Sequence, residues 1–191
     1  MRVITGTARG RRLKTLEGVD VRPTTDRVKE AIFSVIQFDI EGRMMLDLFA
    51  GSGQMGIEAL SRGAAKAVFV DSAANAVAVV KENLKTCDLM KSAVVVQSEA
   101  KMYLSGCASA GKDKFDVAFL DPPYNKGILQ DMLPSVTRVM KDSGVIICES
   151  PLDDKLPETV ENFAISKEYR YGKIKVTFYR VPQTDDDGGE G

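Results

Sequence analysis

Residues 121–124 read Asp121-Pro122-Pro123-Tyr124, directly after the apolar run Phe115-Asp116-Val117-Ala118-Phe119-Leu120. A strand that ends in an acid, two rigid prolines and an aromatic is suited to gripping a planar base by its exocyclic amino group. Earlier the chain reads Asp47-Leu48-Phe49-Ala50-Gly51-Ser52-Gly53, a strand running into a glycine loop. Together the two segments predict a cofactor site and a nucleobase site at the same edge of one sheet.

The lone pair of an exocyclic amine is delocalised into its ring, which makes it a poor nucleophile. If the Asp121 carboxylate and the Pro122 carbonyl both accept its N–H bonds, the nitrogen pyramidalises and the lone pair is freed. Holding it in line with an electrophilic methyl ~3 Å away makes the transfer effectively unimolecular. Prolines fix φ, and Pro123 bars the residue before it from helical geometry, which keeps the Pro122 carbonyl out of any helix ladder. Tyr124 offers a stacking face, worth about 1–3 kcal/mol per base, once the base has left its own stack. Asp-Pro alone is a common strand-ending turn; the motif gains meaning from the glycine loop that precedes it.

Gly51-Ser52-Gly53-Gln54-Met55-Gly56 fits G-x-G-x-x-G, and Asp71 lies 20 residues beyond Gly51. Literally this is a dinucleotide fingerprint, so an NAD-dependent oxidoreductase is one reading. Asp47, close to the loop, would repel a pyrophosphate but suits the ammonium and sulfonium of S-adenosylmethionine. Asp71 is expected to hold ribose hydroxyls, with Ser72 beside it, and Phe49, Ala50, Gly51 and Gly53 to line the loop. Glycine lets the backbone approach a ligand without a Cβ in the way. Glu99-Ala100, past the third strand, is placed to reach an adenine amino group; equally, Glu99 is an acid favoured in a helix first turn.

The absence of histidine excludes a Ser-His-Asp triad, His–metal sites and imidazole acid–base chemistry. Cys87, Cys107 and Cys148 are odd in number and widely spaced, so neither a disulfide nor a zinc framework follows. No stretch approaches a membrane span and no signal-peptide pattern opens the chain, so a soluble, cytoplasmic protein without a metal is expected. The formal net charge of −1 hides an asymmetry. Arg2, Arg9, Arg11, Arg12, Lys14, Arg22, Arg27 and Lys29 face only Glu17, Asp20 and Asp26, whereas the last residues carry Asp185, Asp186, Asp187 and Glu190.

These residues must be positioned by elements. Arg2–Gly6 and Arg11–Leu16 read as a short basic hairpin. Thr24 or Thr25 caps a helix whose Val28, Ala31, Ile32, Val35 and Ile36 recur at amphipathic spacing. Short apolar strands are expected near 44–49, 67–71, 93–97, 115–121 and 144–149, alternating with helices at 54–62, 73–85 (capped by Ser72), about 99–106 and 126–141. Pro134 predicts a kink or two short helices in the last of these. Two further strands, 163–169 and 174–179, form a hairpin. The fold class is therefore α/β: a doubly wound, mostly parallel seven-stranded sheet with an antiparallel finish. Residues 1–40 form an arm packed on the core, 41–182 the main domain, and 183–191 an acidic tail expected to be disordered.

The chain resembles the RsmD-like bacterial 16S rRNA guanine-N2 methyltransferases from Met1 to about Arg180. Arg22-Pro23-Thr24-Thr25-Asp26-Arg27-Val28-Lys29-Glu30-Ala31 resembles their N-terminal signature. Asp47–Gly53 with Glu58-Ala59-Leu60-Ser61-Arg62-Gly63-Ala64 resembles their cofactor loop and first helix, and Asp121–Tyr124 their catalytic loop. The resemblance implies a Rossmann-like class I methyltransferase using S-adenosyl-L-methionine on a guanine of small-subunit rRNA, acting as a monomer on an assembled or assembling subunit. Arg9, Arg11, Arg12, Lys14, Arg22, Thr24 and Arg27 would then contact RNA. Gln54-Met55, Asp71 and Ser98-Glu99-Ala100 depart from the family pattern. Two competing functions are a DNA or RNA adenine-N6 methyltransferase, which would use the same Asp-Pro-Pro-Tyr loop, and a non-catalytic RNA-binding scaffold. The chain offers no separate target-recognition domain for sequence-specific DNA work.

Overall fold

The computed structural model describes residues 1–16, 25–109, 114–123 and 127–183. Five helices, α1 (Asp26–Val35), α2 (Gln54–Ser61), α3 (Ala74–Thr86), α4 (Ala100–Ser109) and α5 (Ile128–Thr137), accompany eight strands. These are β1 (Met44–Leu48), β2 (Lys66–Asp71), β3 (Ala93–Gln97), β4 (Phe115–Leu120), β5 (Met140–Pro151), β6 (Thr159–Val160), β7 (Phe163–Tyr171) and β8 (Ile174–Arg180). They form one sheet in the order β3-β2-β1-β4-β5-β8-β7-β6. β1 to β5 are parallel; β8, β7 and β6 complete the sheet with antiparallel pairings.

Both faces of the parallel part are covered, which is why its strands read as continuous apolar runs; every residue of β4 is buried. One face packs α1, α2, α3 and the N-terminal residues Val3, Ala8 and Leu13 around Met45, Phe69, Val117, Phe119, Val176 and Phe178. The other packs α4 and α5 around Leu46, Leu48, Val70, Leu120, Ile146 and Tyr179. Among the described residues no helix is long and apolar enough to cross a membrane, and no group of three or more metal-ligating side chains is assembled. The three cysteines are free and buried.

Several expectations are corrected. The sheet has eight strands rather than seven, because the two-residue β6 pairs with β7 at Thr159↔Ala164 and Val160↔Phe163; so short an edge has no periodicity to detect. The helix expected over 126–141 is shorter. Val139 and Met140, apolar at helical spacing, are claimed by the sheet: the Phe115 N–H donates to Val139 O, and β5 starts at Met140. Pro134 lies inside a single helix, α5, rather than between two. Its missing N–H forfeits one helical bond, while Leu129, Met132, Leu133 and Val136 remain buried on both sides of it. Ser72 is not the cap of α3. Ala73 holds that position with no side-chain bond, and its N–H is satisfied by Asp71. The first basic segment does turn back on itself as a short hairpin: the antiparallel bridge Arg2↔Arg12 is flanked by bonds from Val3 N–H to Arg11 O, Gly10 N–H to Val3 O and Leu13 N–H to Met1 O. The expected acidic tail, from residue 184 onward, lies outside the described residues.

The N-terminal segment is fastened to α2. Glu58, fully buried, accepts the Ile4 N–H at 2.8 Å and the Thr5 N–H at 3.0 Å. Ser61 Oγ accepts the Ala8 N–H and donates to Thr5 O. Gly6 lies so close that a Cβ there would stand 1.7 Å from Ser61 O. Thr25 caps α1, its Oγ1 accepting the Val28 N–H at 3.4 Å.

Candidate active site

The two chemistry-bearing segments leave the sheet side by side. β1 pairs directly with β4, with Leu48 opposite Leu120, so the loop from Phe49 and the turn from Asp121 start at the same level on adjacent strands. In an open parallel sheet this carboxyl edge is where ligands bind.

The loop is built by reversing the chain sharply. Phe49 has φ 66, a left-handed value that costs a non-glycine residue on the order of 1–3 kcal/mol. The Ala50 N–H donates to Val70 O at 3.0 Å and the Gly53 N–H to Ala50 O at 2.7 Å. Two acids brace it from within. Asp71 accepts the Gly51 N–H through one oxygen and the Ala73 N–H through the other, each at 2.9 Å. Asp47, almost wholly buried, accepts the Gly56 N–H at 2.9 Å. Asn83 of α3 completes the frame: its amide donates to Ser52 O and Lys14 O and accepts the Lys14 N–H.

The glycines differ in what they permit. A Cβ at Gly56 would stand 2.3 Å from the Phe69 ring, so this glycine is needed for packing. A Cβ at Gly51 would meet nothing within 4 Å: its φ of 54 and the empty space beyond it make a cradle open to a ligand.

The electrostatics are those of a cation site. Burial pushes the Asp47 carboxyl up to about 7, with the Gly56 N–H pulling it down and the charge of Asp71 adding to the rise. Asp121 is raised well above the usual carboxylate range, first by burial, then by the charges of Glu149 and Asp47. The charges of Asp47 and Glu149 thus reach Asp121 across adjacent strands, and a positive charge bound nearby would favour the ionised forms. Gln54, at the start of α2, adds a buried amide oxygen with no hydrogen-bond partner.

Of the other expected residues, Pro122 is buried and Pro123 exposed at the turn. Ser72 and Glu99 are exposed, and Ala100 is buried at the first turn of α4. The Glu99 carbonyl accepts the Tyr103 N–H, which puts Glu99 at the helix cap. Arg9, Arg11, Arg12 and Arg27 are exposed, and Lys14 lies 2.6 Å from Glu82. Tyr124, Arg22 and Thr24 lie outside the described residues. Glu149 was not singled out from the sequence, although it ends an apolar strand run as Asp121 does.

Comparison with known proteins places the chain. The family model described as Conserved hypothetical protein 95 matches residues 1–180. YlbH of Bacillus subtilis (strain 168) is 42% identical over 182 residues, covering 94% of this chain and 98% of YlbH. "Ribosomal RNA small subunit methyltransferase D" of Escherichia coli (strain K12) is 33% identical over 184 residues, covering 94% and 89%. The solved structure of yhhF from Escherichia coli superposes with a TM-score of 0.83 at 33% identity, covering 95% of this chain and 99% of that one.

Proposed function

The chain belongs to the Conserved hypothetical protein 95 family, the RsmD-like methyltransferases, and from that membership we propose that it transfers a methyl group from S-adenosylmethionine to the exocyclic N2 of a guanine in small-subunit rRNA. The observation that carries the reading is the β1–β4 register, which sets the Asp121 turn beside the glycine loop. A strand-end acid followed by two prolines has no structural need of that neighbour.

The site fits the methyl donor. Gly51 leaves room for the backbone to approach it, and Asp47, Asp71 and the orphaned Gln54 oxygen supply acceptors for its ammonium and hydroxyl groups. We assign Phe49, Ala50, Gly53, Ser72, Glu99 and Ala100, from the loop after β1 and the segments after β2 and β3, to the same cofactor site. Bound there, S-adenosylmethionine supplies a sulfonium-activated methyl, and its positive charge complements the surrounding carboxyls. Asp121, ionised, and the Pro122 carbonyl would accept the two N–H bonds of the target amine, orienting its lone pair. As the methyl–sulfur bond breaks and leaves a neutral thioether, the carboxylate would stabilise the positive charge on nitrogen and take the proton that the methylated amine loses. Pro123 holds the turn open, and Tyr124 stacks on the flipped base. The arm of residues 1–40 brings Arg9, Arg11, Arg12, Lys14, Arg22, Thr24 and Arg27 to rRNA phosphates flanking the target, on an assembled or assembling subunit.

The test offers labelled cofactor to unmodified small subunits, naked rRNA and DNA, and identifies the methylated nucleoside by mass. N2-methylguanine in small-subunit rRNA is expected. N6-methyladenine, or label in DNA alone, would overturn the substrate assignment.

A further inference from the structure

The β7–β8 hairpin carries features that neither the core nor the catalytic turn requires. Residues 167–175 read Lys-Glu-Tyr-Arg-Tyr-Gly-Lys-Ile-Lys, four basic residues to one acid. β6 pairs with β7 only as far as Ala164, so among the described residues no strand flanks the outer edge of β7 from Ser166 to Tyr171. Residues 166–170 are exposed, Tyr169 among them at 37%.

The hairpin tip lies at the reactive edge. Pro151, at the end of β5, pairs with Ile174, and Ile174 with Tyr171. The Leu152 N–H then donates to Lys173 O at 3.3 Å. Because Leu120 is opposite Cys148, the tip stands beyond the level of Asp121, and three strand spacings put Tyr171 about 14 Å to its side. That is within reach of nucleotides next to a base held at Asp121.

The aromatic residues are aimed consistently. Opposite pairing puts Lys167, Tyr169 and Tyr171 on the face of Phe178, Val176 and Ile174. Tyr169 meets Phe178 edge-on at 5.9 Å. Tyr171 packs against the same apolar cluster that holds Val3, Leu13 and α1, and Arg27 of α1 is near enough for its charge to be felt by the Tyr171 phenol. On that face the hairpin thus carries Lys167 and two tyrosines, with Tyr171 beside α1 and its Arg27.

Charged residues on an open edge strand also prevent edge-to-edge aggregation. That role explains Lys167 and Arg170. It does not explain a half-exposed tyrosine between them, or the position beside the catalytic turn.

We propose that this hairpin is a second RNA-contact surface, on which Tyr169 stacks an unpaired base while Arg27, Lys167 and Lys173 take the phosphates around it; Arg170 lies on the opposite face, 3.8 Å from Glu168. The proposal rests on the rRNA-methylating reading and adds the part of the substrate adjoining the target guanine. Alternating basic and aromatic side chains at an open edge match single-stranded RNA, whose bases have free faces and whose backbone is anionic.

The test compares the full chain with a Lys167→Ala/Lys173→Ala variant and with Tyr169→Leu, measuring affinity for unmodified small subunits across salt concentrations, S-adenosylmethionine affinity and methyl transfer. The double variant is expected to bind subunits about ten-fold more weakly, with a log–log salt slope shallower by about 2. Tyr169→Leu is expected to lose about ten-fold with an unchanged slope. Cofactor affinity stays the same in both. Ultraviolet crosslinking of the wild-type complex should join residues 167–173 to RNA. Unaltered affinity and slope in the double variant, or crosslinks to a ribosomal protein instead, would overturn the proposal while leaving wild-type methylation intact. Absence of rRNA methylation by the wild-type chain would instead overturn the functional reading on which it rests.

Discussion

Lys29 Nζ lies 3.7 Å from Glu58 Oε2, and both side chains are wholly buried. The ammonium also donates to Arg2 O at 2.6 Å, and Arg62 Nε lies 2.9 Å from the other Glu58 oxygen. One carboxylate thus joins α1, α2 and the two backbone N–H groups of the arm. Burial lowers the Lys29 pKa despite the opposing charges of Glu58 and Asp26.

Removing the carboxylate takes away the buried counter-charge of that cation. Glu58→Ala is expected to cost about 3–5 kcal/mol, because the buried Lys29 keeps only Arg2 O and, at 3.9 Å, Asp26. The double variant Glu58→Met/Lys29→Met should recover much of the loss. Urea unfolding measures both, and protease cleavage within residues 1–16 should accelerate in the single variant; equal stability of all three proteins would refute the account.

Asp47 predicts opposite pH trends for stability and for binding. A carboxyl whose folded pKa is raised from 3.8 to about 7 holds its proton more tightly in the fold. Its contribution to stability is therefore complete at low pH and is lost as pH rises through that window. Affinity for a cationic cofactor should rise over the same window as the carboxylate ionises. Asp47→Asn should reduce both slopes, leaving the part due to Asp121. Denaturant melts and calorimetric titrations at several pH values between about 4 and 8 read this out.

The two loop glycines should separate fold from ligand. Gly56→Ala drives a methyl into Phe69 and is expected to destabilise the protein by about 1–3 kcal/mol. Gly51→Ala meets open space, so only its backbone conformation resists, at about 1 kcal/mol. Its cofactor affinity should nonetheless fall more than about ten-fold, a disproportion that thermal melts with and without S-adenosylhomocysteine would reveal.

Asp121→Ala is expected to leave cofactor affinity within a few-fold and to lower single-turnover methyl transfer by about 100-fold or more. Persisting transfer would remove Asp121 from the chemistry.

Arg11→Ala/Arg12→Ala should weaken subunit binding and make its salt slope shallower by about 1–2. Unchanged binding would take the arm out of the RNA contact surface.

The strand–helix alternation was legible because each parallel strand contains a short apolar run, and β1, β2 and β4 carry an acid at or near the carboxyl end of theirs. Asp47, Gly51 and Asp71 could be named for the same reason: a charged residue closing a buried strand is anomalous unless the strand end does chemistry. What escaped was non-local. Glu149 follows the apolar run of β5 as Asp121 follows that of β4, but its effect on Asp121 depends on the β4–β5 register, Leu120 against Cys148. The bracing roles of Asp47 and Asp71, each holding a backbone N–H of the loop, are invisible until the chain has folded back. Phe49 gives no sign of its left-handed turn, because an aromatic residue is a poor marker for positive φ. The Met140 boundary and β6 were settled by sheet pairing, against local periodicity.

Asn83 has the widest consequence. A single buried amide grips Lys14 at the end of the described arm and Ser52 within the glycine loop. Anything that draws the arm outward must pull on the cradle of the methyl donor. With RNA on the arm as proposed, the two reactants would be energetically linked: each would alter the other's grip, by the same factor in both directions.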